Sequence, residues 1–187
     1  ENVLSAYKQF INNTKNEGCA FICSEDERLK NIASQSEKRI LKYGISDDAD
    51  IKAENIKLMN LSGSEFEVKH KGAKLGKIKL SIPGIHNVVN SLAAIGVAME
   101  LGLNFNLIRD VIMEFKGADR RFRITQLDSD ILIIDDYAHH PTEIKATLKA
   151  MESSGRRVVA VFQPHRFSRT CDLKDQFGKC FDTADHL

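Results

Sequence analysis

Apolar residues return at helical intervals from the first turn of the chain. Val3, Leu4, Tyr7, Phe10 and Ile11 share one face and predict a helix over 2–13. "CAFICS", 19–24, reads as a short buried strand. "SEDERLKNIA" follows, with Ser24 as N-cap and acidic residues in the first turn, and predicts a second helix. "RILKYG", 39–44, predicts a second strand that stops at Gly44. Helix, strand, helix, strand in that order is the signature of a parallel α/β sheet. After "SDDAD" the period drops to two. "IKAENIKLMN", "SEFEVKHK" and "GKIKLSI" predict three antiparallel strands between 51 and 82. Phe66 and Val68 alternate with Glu65, Glu67 and Lys69, and Ile78, Leu80 and Ile82 with Lys77, Lys79 and Ser81, so one face of this small sheet is polar. "LSGS" and "HKGAKLGK" supply its turns.

Helical spacing resumes at about His86, with Val89, Leu92, Ala93, Gly96 and Met99 on the apolar face and "LGLN" as the stop. A further helix over 105–115 turns Leu107, Ile108, Val111, Ile112 and Phe115 inward. "KGADRRFRI" leaves the helical pattern. "DILIID" then predicts a strand, followed by a helix over 142–152, a strand "RVVAVFQ" over 157–163 and a helix over 168–182. That is the opening of a second α/β unit. The change of texture near Leu127–Asp130 divides the chain into 1–128 and 129–187. No internal repeat or low-complexity segment is present.

Composition narrows the class without naming a function. In 187 residues, 42% are hydrophobic and 28% charged, and 27 Lys and Arg balance 26 Asp and Glu. Such a balance builds no general field for nucleic acid or membranes, although a local basic pocket remains open. The four cysteines, Cys19, Cys23, Cys171 and Cys180, form no Cys-x-x-Cys pair and read as reduced thiols of a cytoplasmic protein. No signal peptide or membrane-spanning run is visible. The chain begins "ENVLSAYKQF" without Met and stops at "CFDTADHL", and both ends read as cuts through a larger protein.

Chemistry gathers at a few places. A phosphate loop is not among them: in "GAKLGKI" the glycines 72 and 76 are too close, and Ile78 stands where a hydroxyl is needed, so the string reads as a hairpin turn. Asn87 and Asn90, in "HNVVN", lie one helical turn apart at a helix start, where two carboxamides could read a purine edge or Asn87 could simply cap. "DRRFR" places Arg120, Arg121 and Arg123 at the junction of the two parts, as phosphate-binding guanidiniums or as a solvated basic turn. "DDYAHHPTE", 135–143, collects Asp135, Asp136, Tyr137 and His139 where a strand stops. Helix-start chemistry explains Pro141 to Glu143 but not that cluster. Adjacent histidines diverge, which argues against a shared metal ion. "FQPHRFSRT" sets His165, Arg166 and Arg169 at the end of the next strand, so parallel neighbouring strands would bring both clusters to one edge.

Together, "IPGIHNVVNSLAAIGVA", "FKGADRRF", "IIDDYAHHPTEIKATL" and "VVAVFQPHRFSRT" resemble the motifs of the Mur ligases, from about Ile82 to the end. "DDYAHHPTE" and "FQPHRFSRT" together are most similar to members that add L-alanine to UDP-N-acetylmuramate; the tripeptide-recycling members share the first string only. The resemblance implies an α/β chain: the end of a P-loop-type central domain with a small antiparallel sheet, then the start of a Rossmann-like domain. The phosphate loop, the magnesium ligands and a UDP-binding domain would all precede Glu1, so this piece alone is expected to be inactive. ATP and magnesium are the implied cofactors, UDP-N-acetylmuramate and L-alanine the implied partners, with no metal ligand assignable here. By position, Asn87 and Asn90 match adenine-side residues, Arg121 and more weakly Arg120 the phosphate arginine, and Asp136 a ribose-binding carboxylate. Tyr137, His139, His165, Arg166 and Arg169 match the face that holds alanine and the acyl-phosphate charge, with Arg166 and Arg169 for charge and His139 and His165 for orientation. A tripeptide-recycling ligase and a non-catalytic nucleotide-binding module remain as alternatives.

Overall fold

The first parallel strands form where the apolar runs predict them. In the computed structural model, which describes residues 2–127, 130–152 and 154–187, β1 (Ala20–Cys23) and β2 (Ile40–Gly44) pair in parallel, Ala20 opposite Ile40 and Cys23 opposite Tyr43. β3 (Ile51–Leu58) joins β2 in parallel, and β4 (Ser64–His70) and β5 (Ala73–Leu80) complete a sheet in the order β1-β2-β3-β4-β5. Lys71 and Gly72, at φ 48° and 83°, make the two-residue turn between β4 and β5. Two positive φ values in so short a loop are what an antiparallel hairpin requires. The turn is thus shorter than the sequence suggests, and Gly76 lies within β5, where a Cβ would come 2.8 Å from the Phe105 ring.

By contacts the chain divides into two units. The first comprises 1–57, 65–80 and 86–114; the second comprises 58–64, 81–85 and 115–187. The boundary expected between 128 and 129 lies outside the described residues.

In the first unit the even positions of β4 and β5, Phe66, Val68, Ile78 and Leu80, are fully buried, as the alternation requires. Helix α1 (Asn2–Asn12) packs on α2 (Glu27–Ser34) through Ile11, which joins Ile22, Ile32 and Ala33. Val3, Leu4, Tyr7 and Phe10, which share that apolar face with Ile11, are exposed. The cap of α2 also differs: Asp26, not Ser24, accepts from the N–H groups of Arg28 and Leu29 at 2.9 and 3.3 Å. Ser24 is buried instead in a polar knot at the carboxyl ends of β1 and β2. There Glu25 Oε1 accepts from Ile45 N (2.7 Å), Ser46 N (3.0 Å), Ser46 Oγ (2.8 Å) and Ser24 Oγ (3.1 Å). Burial pushes the Glu25 carboxyl up, but these hydrogen bonds outweigh it and hold the group below its usual range.

Helix α3 (Ile85–Glu100) buries Val88, Ser91, Leu92, Ile95 and Gly96, a stripe offset from the one the sequence suggests. Gly96 is the point of closest approach, since a Cβ there would meet Phe21 and Ile51 of the sheet. Helix α4 (Phe105–Glu114) buries only Ile108; Leu107, Val111 and Phe115 are exposed, contrary to the inward face expected of them.

The second unit opens with an element the patterning did not reveal. β6 (Arg123–Gln126) pairs antiparallel with β7 (Leu132–Asp135), Arg123 opposite Asp135. All four β6 residues are exposed, so hydrophobic alternation had nothing to report. Helix α5 (Pro141–Glu152) follows and packs on the 3₁₀ turn Asn60–Ser62. The predicted strand 157–163 forms no ladder. Val158, Ala160 and Phe162 do face the core and Val159 and Val161 face out, as a strand would arrange them. Its one bridge among the described residues is Val159 to His186. The helix expected over 168–182 is two short helices, α6 (Phe167–Asp172) and α7 (Lys174–Phe177), interrupted at Leu173. Beyond the break, Phe177, Cys180 and Phe181 join Ile144, Leu148 and Phe162 in the core of this unit.

Candidate functional site

The end of β7 is built by the start of α5. His140 precedes Pro141, the first helical residue, and its Nδ1 accepts from Thr142 N at 3.3 Å. Glu143, at the third helical position, reaches back so that its Oε2 accepts from His140 N (3.2 Å) and His139 N (3.0 Å). This is the carboxylate half of a capping box, with proline where no N–H is needed. The second histidine therefore serves the helix.

The remaining groups of the turn are held from several sides. Asp136 Oδ1 accepts from Ala138 N at 3.1 Å, and its Oδ2 accepts from Thr147 Oγ1 at 2.6 Å. Tyr137 N donates to the Arg120 carbonyl at 2.8 Å. The Tyr137 ring meets the His139 ring edge-on at 4.9 Å. His139 Nδ1 lies 2.8 Å from the Tyr137 carbonyl and 3.6 Å from Glu143 Oε2. Burial pushes the Glu143 carboxyl up. The His139 N–H, the His139 charge, the His140 N–H and the Arg121 charge together outweigh that and leave it lowered.

The β6–β7 pairing thus joins "DRRFR" to "DDYAHHPTE". The junction is conformationally tight: Gly117, Arg120 and Phe122 have φ of 100°, 60° and 48°. Positive φ at two non-glycine residues costs energy that surrounding contacts must offset. Asn87 is the third residue of α3, not its cap, and shares a face with Asn90, which is exposed. These two belong to the first unit.

The "FQPHRFSRT" loop is almost wholly exposed, His165 and Arg166 included. Arg166 sits at the start of α6 with φ 68° and ψ 112°, a conformation L residues rarely adopt. Its carbonyl accepts from the N and Oγ1 of Thr170, each at 3.2 Å. Arg169 is half-buried, and its Nη1 is buried with no hydrogen-bond partner among the described residues. A buried guanidinium nitrogen in that state favours an anion. Arg156, just before the 157–163 segment, binds Asp130, just before β7, through Nη2 to Oδ1 at 2.6 Å and Nη1 to the carbonyl at 3.1 Å. That pair ties the chain just before β7 to the residue before 157–163. Among the described residues the expected parallel pairing of the two segments is not formed, and no hydrogen bond or ion pair joins the two clusters directly.

Sequence reasoning missed Thr147 and assigned Glu143 to the helix start alone. Thr147 lies four residues past the helix-start chemistry, one turn further along α5, and gives no signal until α5 is seen against Asp136.

The capping carboxylate carries a pH signature. Glu143 has its carboxyl lowered by folding, so its contribution is complete above the ordinary glutamate range near pH ~4.3 and is lost as pH falls through the lower folded value. Glu143→Gln is expected to cost about 1 kcal/mol at neutral pH. The difference from wild type shrinks in denaturant titrations below that range, and a difference that stays constant into strong acid contradicts the assignment.

Among the described residues, no group of three or more His, Cys, Asp or Glu could hold a metal ion, and no helix is long and apolar enough to cross a membrane. The four cysteines are free.

Comparison with known proteins gives a consistent result. Residues 1–98 match the Mur ligase middle domain, and residues 120–187 the Mur ligase glutamate ligase domain. A UDP-N-acetylmuramate–L-alanine ligase from a Sulfurihydrogenibium species is 44% identical over 187 residues, 99% of this chain and 40% of that protein. Among solved structures, UDP-N-acetylmuramate-alanine ligase from Thermotoga maritima superposes with a TM-score of 0.74 at 28% identity, over 97% of this chain and 39% of that one. A murein peptide ligase from Psychrobacter arcticus gives 0.72 at 26% identity, over 98% and 39%. The chain spans about 40% of the length of the curated relatives it matches.

Proposed function

This chain belongs to the Mur ligase family, and on that premise we propose that it is the part of an ATP-dependent, cytoplasmic ligase that joins L-alanine to UDP-N-acetylmuramate. The observation that carries the proposal is the 44% identity to an alanine-adding ligase along the whole of this chain. The buried, unpartnered nitrogen of Arg169 supports it from the geometry.

A carboxylate is a poor electrophile, and phosphorylation by ATP turns it into an acyl phosphate with a good leaving group. The amine nitrogen then attacks the carbonyl carbon, and the tetrahedral intermediate expels phosphate. The chain's contribution is positioning and charge stabilisation. Arg166 and Arg169 hold the alanine carboxylate and the charge that builds on the departing phosphate. Tyr137, His139 and His165 orient the nucleophile. Asn87 and Asn90 take the adenine edge, Arg121 with Arg120 the nucleotide phosphates, and Asp136 the ribose. Each Asp136 oxygen has one protein donor and so retains a lone pair for a hydroxyl. Magnesium is part of this reading, and the described residues offer it no ligand cluster.

A second reading keeps the chemistry and changes the nucleophile to a murein tripeptide; the likeness to the Psychrobacter ligase supports it. A protein of the relatives' full length carrying this chain decides between them. Phosphate release dependent on UDP-N-acetylmuramate is expected with L-alanine and not with the tripeptide. Turnover with the tripeptide alone supports the second reading, and turnover with neither overturns both.

A further inference from the structure

On the ligase reading above, the attacking nitrogen needs an acceptor for its proton, a role the sequence assigns to no residue; the two histidines placed beside the nucleophile are His139 and His165. Geometry separates them. His165 is exposed, and no described residue fixes its ring. His139 Nδ1 faces two groups that can only accept, the Tyr137 carbonyl at 2.8 Å and Glu143 Oε2 at 3.6 Å. A ring nitrogen so placed carries a hydrogen whether the imidazole is neutral or charged. The neutral ring therefore keeps its lone pair on Nε2.

Glu143 acts twice in this arrangement. Its carboxylate accepts from the backbone N–H groups of His139 and His140, which fixes the turn that presents the Tyr137 carbonyl. It also stands beside the ring nitrogen that would bear the new positive charge. The edge-on Tyr137 ring limits rotation of the imidazole.

We propose that Glu143 is a positioning residue which, with the Tyr137 carbonyl, fixes His139 in the Nδ1–H tautomer, so that Nε2 accepts the proton of the incoming amine. The nitrogen lone pair forms the bond to the carbonyl carbon, the carbon–oxygen bond to phosphate breaks with its pair on phosphate, and the proton moves from nitrogen to Nε2. The imidazolium faces the Glu143 carboxylate and then returns the proton to solvent. This is the logic by which a buried carboxylate orients a catalytic histidine elsewhere.

The test uses the protein at its relatives' length, labelled with nitrogen-15 histidine, with His139→Gln to assign the signal. At a pH where the ring is neutral, His139 is expected as Nδ1–H, against the Nε2–H form that free imidazole side chains favour. Glu143→Ala is expected to shift His139 toward Nε2–H and to lower kcat on the order of tenfold or more, with a smaller change in the KM for alanine. Glu143→Gln keeps an oxygen acceptor for the two N–H groups and is expected to retain the tautomer while losing part of kcat. If Glu143→Ala does not fold, the Gln variant carries the test. Wild-type His139 found as Nε2–H, or kcat unchanged in Glu143→Gln, overturns the proposal. A wild type with the Nδ1–H form and no ligation of alanine instead overturns the functional reading on which the proposal rests.

Discussion

Arg166→Ala is expected to lower ligation by on the order of a hundredfold or more, while the protein stays folded. The side chain is exposed and makes no hydrogen bond or ion pair among the described residues, so its removal leaves no buried group unsatisfied. What is lost is a delocalised charge at the rim where, on the ligase reading, charge builds on phosphate. Lysine restores only part of the rate, because an ammonium cannot supply the paired hydrogen bonds of a guanidinium. The backbone adds a second, separable readout. With φ at 68° and ψ at 112°, Arg166 sits in a conformation that glycine adopts at less cost. Arg166→Gly is therefore expected to be more stable than Arg166→Ala, by about 1 kcal/mol, and equally inactive. A protein that keeps this conformation at a residue with no role in catalysis would show the stability difference without the loss of rate. Steady-state kinetics and denaturant titration on the two variants distinguish these cases.

Gly44→Ala carries the largest expected loss of stability, about 1–3 kcal/mol from overpacking. The residue ends β2, and its backbone conformation is ordinary; space is what excludes a side chain. A Cβ would fall on the Ser24 hydroxyl and the Glu25 carboxylate. Both are committed to the knot that ties the ends of β1 and β2, where one carboxylate oxygen takes four donors. Moving Glu25 aside leaves the Ile45 and Ser46 N–H groups without their acceptor. Ser24→Ala removes the nearer obstacle. In a double-mutant cycle the pair is expected to lose less than the sum of the single losses, by more than the usual non-additivity of about 0.5 kcal/mol. Strict additivity would show that Gly44 is not held small by these two neighbours.

Much of the architecture could be read from spacing alone, and the exceptions share a cause. β3, β4 and β5 were legible because one face is buried and the other polar, so Phe66, Val68, Ile78 and Leu80 stand out against lysines and glutamates. β6 was invisible because all its residues are exposed. The 157–163 segment keeps the inside–outside alternation of a strand, but alternation reports faces, not hydrogen-bonded neighbours. The faces of α1 and α4 show the same limit from the other side. Periodicity marks Tyr7, Phe10, Leu107 and Val111 as one-sided, and it does not say that anything in this chain covers them. In α3 the true stripe runs through Val88 and Ser91, because the approach of Gly96 to Phe21 sets the rotation of the helix.

The candidate site was legible in its residues and not in its wiring. The strings around Asp136, His139 and Arg166 announced polar chemistry at the ends of apolar runs. That "DRRFR" is tied to "DDYAHHPTE" follows from a β6–β7 ladder and from Tyr137 N bonding to Arg120, neither of which has a local signal. The division of labour between the two histidines also needed coordinates: His140 caps α5, and His139 faces the Tyr137 carbonyl.

On the ligase reading, the turn after β7 and the loop before α6 serve one amino-acid nucleophile. Side-chain resonances of His139, Arg166 and Arg169 can be followed as L-alanine is added to the protein at its relatives' length, already holding UDP-N-acetylmuramate and a non-hydrolysable ATP analogue. All three are expected to shift together along one saturating curve. Alanine that binds and leaves them unmoved would place the amino acid elsewhere and contradict the site.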